Sequence, residues 1–266
     1  MLVGTSTKMN LTATETAAYL DALVPLLEAI DGIERCEVFV LPPFTSIWIA
    51  RDRLRRTRVA WGAQDVHPED AGAHTGDVSA PMLADLGCTY VECGHSERRR
   101  DHGETDVLIA RKVAAILRGG MRPVLCVGEG SRGSAEAAGS IVIGQLERDL
   151  AGVAPADLER VVVAYEPAWA IGAGSTPAAP SHVSAVHRAI HAWLAARRTP
   201  GGGSPDGGPS SVDAGTSRVI YGGSVDPDAA PTLLAEPAVD GLFVGRSALD
   251  PRRFASIVEL AARSTA

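Results

Sequence analysis

The chain reads as one α/β domain closed into a (β/α)8 barrel, and three observations predict this. Eight short apolar runs, many rich in β-branched residues, recur along its 266 residues. Ala- and Leu-rich stretches of helical length separate them. The length is one at which such barrels form a single domain, here residues 1–266. Alternating strands and helices imply a parallel sheet. A doubly wound open sheet shares that periodicity, and at this length the closed barrel is the better solution.

The first strand is expected at Leu2–Thr7. The helix that follows, TATETAAYLDALVPLLEAI, has apolar residues at three-and-four spacing and Thr12 or Thr14 as its N-cap. Further strands are expected at Glu37–Leu41, Arg58–Ala63 and Tyr90–Cys93. VLIARKVAAILRG is a second amphipathic helix, ahead of strands at Pro123–Val127 and Val161–Tyr165. SHVSAVHRAIHAWLAAR is a third, with Ser181 as cap after Pro180. The segment from Thr199 to Thr216, TPGGGSPDGGPSSVDAGT, has almost nothing apolar to bury and is expected to be a flexible insertion loop. The last two strands fall at Arg218–Tyr221 and Gly241–Val244.

The formal charge of -7 argues against a nucleic-acid partner. It leaves room for an anionic metabolite, because local fields oppose net charge. Cys36, Cys88, Cys93 and Cys126 form no C-x-x-C pair and lie in or beside apolar runs, which predicts buried reduced thiols and a cytoplasmic protein. The N-terminus enters a strand directly, so no signal peptide is expected, and no apolar run is long enough to span a membrane.

Catalytic groups in such a barrel come from the C-terminal ends of the strands. Lys8 follows the first run and places a cation there, although a lone Lys is ordinarily a surface residue. His95, in GHSERRR, follows the fourth run at what reads as a helix start, where N–H dipoles favour neutral imidazole. Glu166, in AYEPAWAIGAG, ends the sixth run. Its apolar neighbours raise its pKa and suit it to general-base work. Pro167-Ala168-Trp169 is a stiff hinge, and Ala170 to Gly174 is a small-residue segment able to present N–H groups to an anion. YGGSV and VGRSA end the seventh and eighth runs with Gly-containing turns, the usual place of a phosphate site in a barrel.

In order along the chain, TKMN, GAHTGDVS, GHSERR, PVLCVGE, AYEPAWAIGAG, YGGSV and DGLFVGRSAL together resemble the triosephosphate isomerase family, the TIM barrel enzymes, over nearly the whole length. The resemblance implies an aldose–ketose isomerase of glycolysis and gluconeogenesis. Glu166 would be the base, His95 the neutral electrophile that shuttles protons, and Lys8 the stabiliser of the enediolate. It implies phosphate held by backbone N–H groups of Gly172, Ser224, Gly245 and Arg246, with Glu97 orienting Lys8 or the helix start. It implies no metal and no cofactor. The GAHTGDVS loop, Gly72 to Ser79, would pack against a partner subunit in a homodimer.

The chain departs from the family pattern at three places. Ser6-Thr7-Lys8 replaces Asn-Trp-Lys, so Ser6 stands where a substrate-contacting amide is usual. Gly245-Arg246 replaces Gly-Gly, and Ser175-Thr176-Pro177 replaces a Lys-Thr hinge. The first two also resemble a paralogous group that isomerises or racemises four-carbon tetrulose phosphates such as erythrulose phosphate. A third alternative, a non-catalytic phosphate-binding barrel, gives no reason for a base.

Overall fold

The computed structural model describes residues 1–172, 176–198 and 217–264. Eight parallel strands close into a barrel in sequence order: β1 (Leu2–Ser6), β2 (Glu37–Leu41), β3 (Val59–Ala63), β4 (Tyr90–Cys93), β5 (Arg122–Val127), β6 (Val162–Tyr165), β7 (Arg218–Tyr221) and β8 (Gly241–Val244). Closure is direct, since β1 pairs with β2 at Leu2–Glu37 and with β8 at Leu2–Gly241. The helices are α1 (Ala13–Glu28), α2 (Ile47–Leu54), α3 (Ala80–Asp85), α4 (Ser96–Asp101), α5 (Asp106–Arg118), α6 (Ala135–Asp149), α7 (Pro180–Arg198), α8 (Ala230–Leu234) and α9 (Pro251–Ser264). All eight expected strands are present, none displaced by more than one residue at either end. Residues 199–216, expected as an insertion loop, lie outside the described residues.

Strand alternation divides the core in two. Inward-facing Leu2, Phe39, Leu41, Tyr90, Val124, Val162, Ile220 and Phe243 fill the barrel. Outward-facing Val3, Val38, Val91, Val163 and Val219 pack under the helices. Gly4 makes the inner packing workable. A Cβ there would sit 2.0 Å from the Phe39 ring, which stacks on Tyr90 at 4.4 Å. The capping of α1 is settled in favour of Thr12: its hydroxyl accepts from Glu15 N, and Glu15 accepts from Thr12 N at 2.8 Å. The start of α7 differs from expectation. The helix begins at Pro180, and Ala179 O accepts from His182 N and Val183 N. Proline fits the first helical position because it has no N–H to leave unpaired, so Ser181 lies inside the helix and is not its cap.

Candidate active site

The strand ends open into one cavity of about 1050 Å³, which brings together Ser6, Lys8, His95 and Glu166. Gly172, Ser224, Gly245 and Arg246 line the same cavity, so every residue singled out from the sequence faces one space. The motifs lie up to 240 residues apart, and the barrel alone makes them neighbours.

Glu166 follows β6 directly and is 3% exposed. Its backbone N–H donates to Val127 O at 2.8 Å, which continues the β5–β6 ladder past the strand end and fixes where the side chain leaves. Oε1 accepts from Ser96 N at 2.8 Å, and Oε2 lies 3.2 Å from His95 Nε2. Burial pushes the carboxyl up to about 8, and the Ser96 N–H only partly opposes this. The expected high proton affinity is present, and desolvation is its main cause.

His95 is buried and caps α4, with Nδ1 accepting from Glu97 N at 3.1 Å. An Nδ1 that accepts leaves the proton on Nε2, so the ring presents an N–H donor to the cavity. Burial lowers its pKa to about 4, with the Lys8 charge adding to the effect. The ring is therefore neutral near pH 7, and its contact with Glu166 is a hydrogen bond between uncharged imidazole and carboxyl. The sequence argument reached the same charge state from helix dipoles, whereas burial is the larger cause here.

Lys8 reaches Glu97 Oε1 at 2.7 Å, which fits the expected orienting role of Glu97. The Lys8 backbone is left-handed, with φ 50. A non-glycine residue held in this region marks a conformation that the surroundings impose. Ser224 is the second such residue, with φ 41. Both line the cavity. Gly172 (φ 115) needs a conformation that L side chains rarely adopt, and a Cβ on Gly223 would fall 2.5 Å from the Tyr221 hydroxyl. Arg246 opens a single 3-10 turn, Arg246–Leu249, and its exposed guanidinium makes no ion pair among the described residues.

The segment after Glu166 is anchored by a residue that sequence reasoning passed over. Buried Glu129 accepts from Trp169 Nε1 at 2.7 Å and from the Tyr165 hydroxyl at 3.1 Å, and its carbonyl accepts from Ala168 N at 3.0 Å. Arg132 lies over the Trp169 ring at 4.5 Å. Ser224 Oγ donates to Ala170 O at 2.5 Å, joining this segment to the loop after β7. Glu129 had a signal of its own: an acid just beyond the apolar run PVLCVG, as Glu166 stands beyond VVVAY. Ala173 and Gly174 of the small-residue segment, and Ser175 of the hinge beyond it, lie outside the described residues.

The four cysteines are free thiols, and Cys88, Cys93 and Cys126 are buried. Among the described residues one His/Asp group, His67, His74 and Asp77, clusters tightly enough to suggest a cation. It does not suit one, because His67 Nδ1 accepts from Glu69 N at 3.1 Å and so leaves the proton on Nε2, the atom facing Asp77. No helix among the described residues is long and apolar enough to cross a membrane.

Comparison with known proteins agrees with this geometry. A family profile described as triosephosphate isomerase matches residues 1–261. The chain is 41% identical to the triosephosphate isomerase of Thermus thermophilus over 263 residues, 98% of each chain. It is 40% identical to that of Solibacter usitatus, covering 94% of this chain and 95% of the relative. The crystal structure of triosephosphate isomerase from Bartonella henselae superposes with a TM-score of 0.79 at 29% identity, covering 97% of this chain and 98% of that one.

Proposed function

The chain belongs to the triosephosphate isomerase family, and from that premise we infer that it interconverts dihydroxyacetone phosphate and glyceraldehyde 3-phosphate through an enediolate. One observation carries the site assignment: a buried carboxyl, Glu166, lies 3.2 Å from the N–H of a neutral imidazole, His95, in one cavity with Lys8.

The substrate carbonyl takes the place of Glu166 Oε2 as acceptor for His95 Nε2–H. Ionised Glu166 leaves Ser96 N–H and removes a proton from the carbon beside the carbonyl. The C–H electron pair becomes the enediolate double bond, and the carbonyl pair moves onto oxygen. His95 Nε2–H and the Lys8 ammonium stabilise that oxygen. His95 gives its proton to one oxygen and recovers one from the other, and Glu166 returns its proton to the neighbouring carbon. Backbone N–H groups of Gly172, Ser224, Gly245 and Arg246 hold the phosphate, and Ser6 meets the sugar end. The segment after Trp169 closes over the enediolate and keeps water from it.

The protein acts as a homodimer in the cytoplasm. The Gly72–Ser79 loop is largely exposed, and Met9 (97% exposed), Trp48 (63%) and Met82 (57%) leave apolar surface for a partner to cover. Sedimentation tests this, and a monomer at micromolar concentration overturns it. The reaction is tested by following deuterium from solvent into dihydroxyacetone phosphate, with erythrulose phosphate in parallel. No exchange into either substrate refutes an isomerase. Exchange into the four-carbon sugar at much higher kcat/KM replaces the triose as substrate.

A further inference from the structure

Part of the cavity wall has no task in the reaction above. The cavity, about 1050 Å³, lies at the upper end of the range that encloses a drug-sized ligand, and a three-carbon phosphate is far smaller. Past the proposed phosphate groups the wall continues over the 3-10 turn Arg246–Leu249 and onto the first turn of α9. Asp250 alone separates the two, so the chain passes from one into the other along the cavity.

Two arginines line the cavity here, Arg246 and Arg253. Both are exposed, and neither makes an ion pair, a side-chain hydrogen bond or a ring contact among the described residues. The third cation of the lining, Lys8, is by contrast paired with Glu97. The two aspartates of the lining, Asp226 and Asp250, are turned to backbone instead of to the guanidiniums. Asp226 Oδ1 accepts from Ala229 N at 2.8 Å and from Asp228 N at 3.1 Å, and Asp250 Oδ1 accepts from Arg252 N at 2.9 Å. Arg253 also stands in the first turn of α9, where the helix dipole disfavours a cation. Two unpaired guanidiniums on one cavity wall, one of them at a place unfavourable to positive charge, suit an anion shared between them.

We propose that Arg246 and Arg253 form a second anion subsite beside the substrate's phosphate, and that the two positions together take a diphosphate. The inner phosphate occupies the place of the substrate's own, on the backbone N–H groups after β7 and β8. The outer phosphate meets the two guanidiniums, whose planar N–H forks match its oxygens. Arg246 serves both phosphates, one through its backbone and one through its side chain, so the two lie within one side chain's reach. That spacing suits phosphates joined through one bridging oxygen, and not two phosphates at opposite ends of a sugar. A ligand so held excludes the substrate and acts as a competitive inhibitor. The inner position rests on the isomerase reading, and the outer one goes beyond it.

Competition by inorganic phosphate and inorganic diphosphate against the triose phosphate tests this, at about 0.1 M salt so that long-range fields are screened. Diphosphate binds wild type at least about tenfold more tightly than phosphate does. Arg253→Gln lowers that ratio about tenfold, the worth of one charge-assisted hydrogen bond at an exposed site. Arg252→Gln removes the same charge from the neighbouring residue, which is not part of the lining, and leaves the ratio unmoved. A wild-type ratio near one, a ratio that survives Arg253→Gln, or an equal fall in Arg252→Gln overturns the proposal. ADP run beside diphosphate identifies the source. Diphosphate as tight as ADP assigns the subsite to free diphosphate, and ADP about tenfold tighter assigns it to a nucleoside diphosphate, each with the Arg253→Gln loss. Titration calorimetry with the two inorganic anions reads the same ratio without turnover. A wild type that keeps the ratio but does not turn over the triose phosphate sinks the isomerase reading alone. Full turnover without the ratio sinks this proposal alone.

Discussion

Replacing Glu166 by Gln exchanges activity for stability in a way that depends on pH. The folded protein raises this carboxyl from 4.5 to about 8. Between those values the native state holds a proton that the unfolded chain has released, so stability falls as pH rises through the window and levels off above it. Once the group is ionised the cost is about 5 kcal/mol, an order-of-magnitude figure for a fully buried site. Gln never ionises and escapes that cost. It carries one of its own, because two donors, Ser96 N–H and His95 Nε2–H, face the two carboxyl oxygens, and an amide has only one acceptor oxygen. The mismatched donor costs about 1–3 kcal/mol at every pH. Glu166→Gln is therefore less stable than wild type near pH 5 by roughly that mismatch, and more stable near pH 9 by about 2 kcal/mol or more. Urea denaturation at both pH values measures the change of sign. The same variant loses kcat by at least about 10²–10⁴-fold through loss of the base. A stability difference that is the same at both pH values shows that Glu166 is not held as a destabilised acid, and the account of its basicity then fails.

Three further outcomes are expected. His95 stays neutral down to about pH 4, so a nitrogen-detected NMR titration shows Nε2 protonated and Nδ1 bare from pH 8 to pH 5; a midpoint near 6.5 refutes the neutral-donor role. Trp169→Phe deletes the 2.7 Å bond to Glu129 and leaves a buried carboxylate short of one donor, which costs about 1.5–3 kcal/mol in denaturant unfolding; an unchanged midpoint means the anchor is idle. Arg246→Gly removes an exposed cation, without an ion pair among the described residues, at the proposed phosphate end. It raises KM severalfold at low ionic strength, with little effect in high salt and none on kcat, and a KM equal to wild type at both salt concentrations places the guanidinium away from the substrate.

The strands were legible because each is a short β-branched run with a turn signal at its end, and barrel topology follows from strict alternation with helices. Glu166, His95 and Lys8 were legible for a related reason: a charged or titratable residue just past an apolar run stands at the mouth of a barrel. That rule fails for Glu92, which lies inside its run, in TYVEC, where an acid reads as an outward-facing residue unless the inward register is known. It also under-reads Glu129, whose partner Trp169 is 40 positions away. The neutrality of His95 was legible from its place at a helix start, but the contribution of burial was not. Burial depends on what the fold packs over a side chain, and local sequence reports only the dipole of the following turn. The capping of α7 was misplaced by two residues, at Ser181 and not Ala179, because Pro180 itself occupies the first helical position.

Reaction and substrate preference are written on different sides of the same mouth. The proposed proton-transfer groups, His95 and Glu166, follow β4 and β6; Glu166 is held by the Ser96 N–H on its carboxyl and by its own N–H on Val127 O, and the His95 tautomer is set by Glu97 N–H. Changing the substrate need not disturb any of these. Two of the residues that depart from the family pattern, Ser6 and Arg246, stand at the end of β1 and after β8, strands that are paired neighbours in the closed sheet. Both line the cavity, and on the proposed reading one meets the sugar end and the other borders the phosphate, so between them they would set the length and polarity of the ligand. The Ser224 hydroxyl on Ala170 O links that phosphate loop to the segment following the base. On the proposed reading, a ligand whose phosphate seats at this loop is coupled through that bond to the segment after Glu166, and one with a badly matched sugar end loses alignment at the base before it loses binding. Discrimination in this enzyme should accordingly appear in kcat more than in KM, which is the signature of interactions realised only in the transition state.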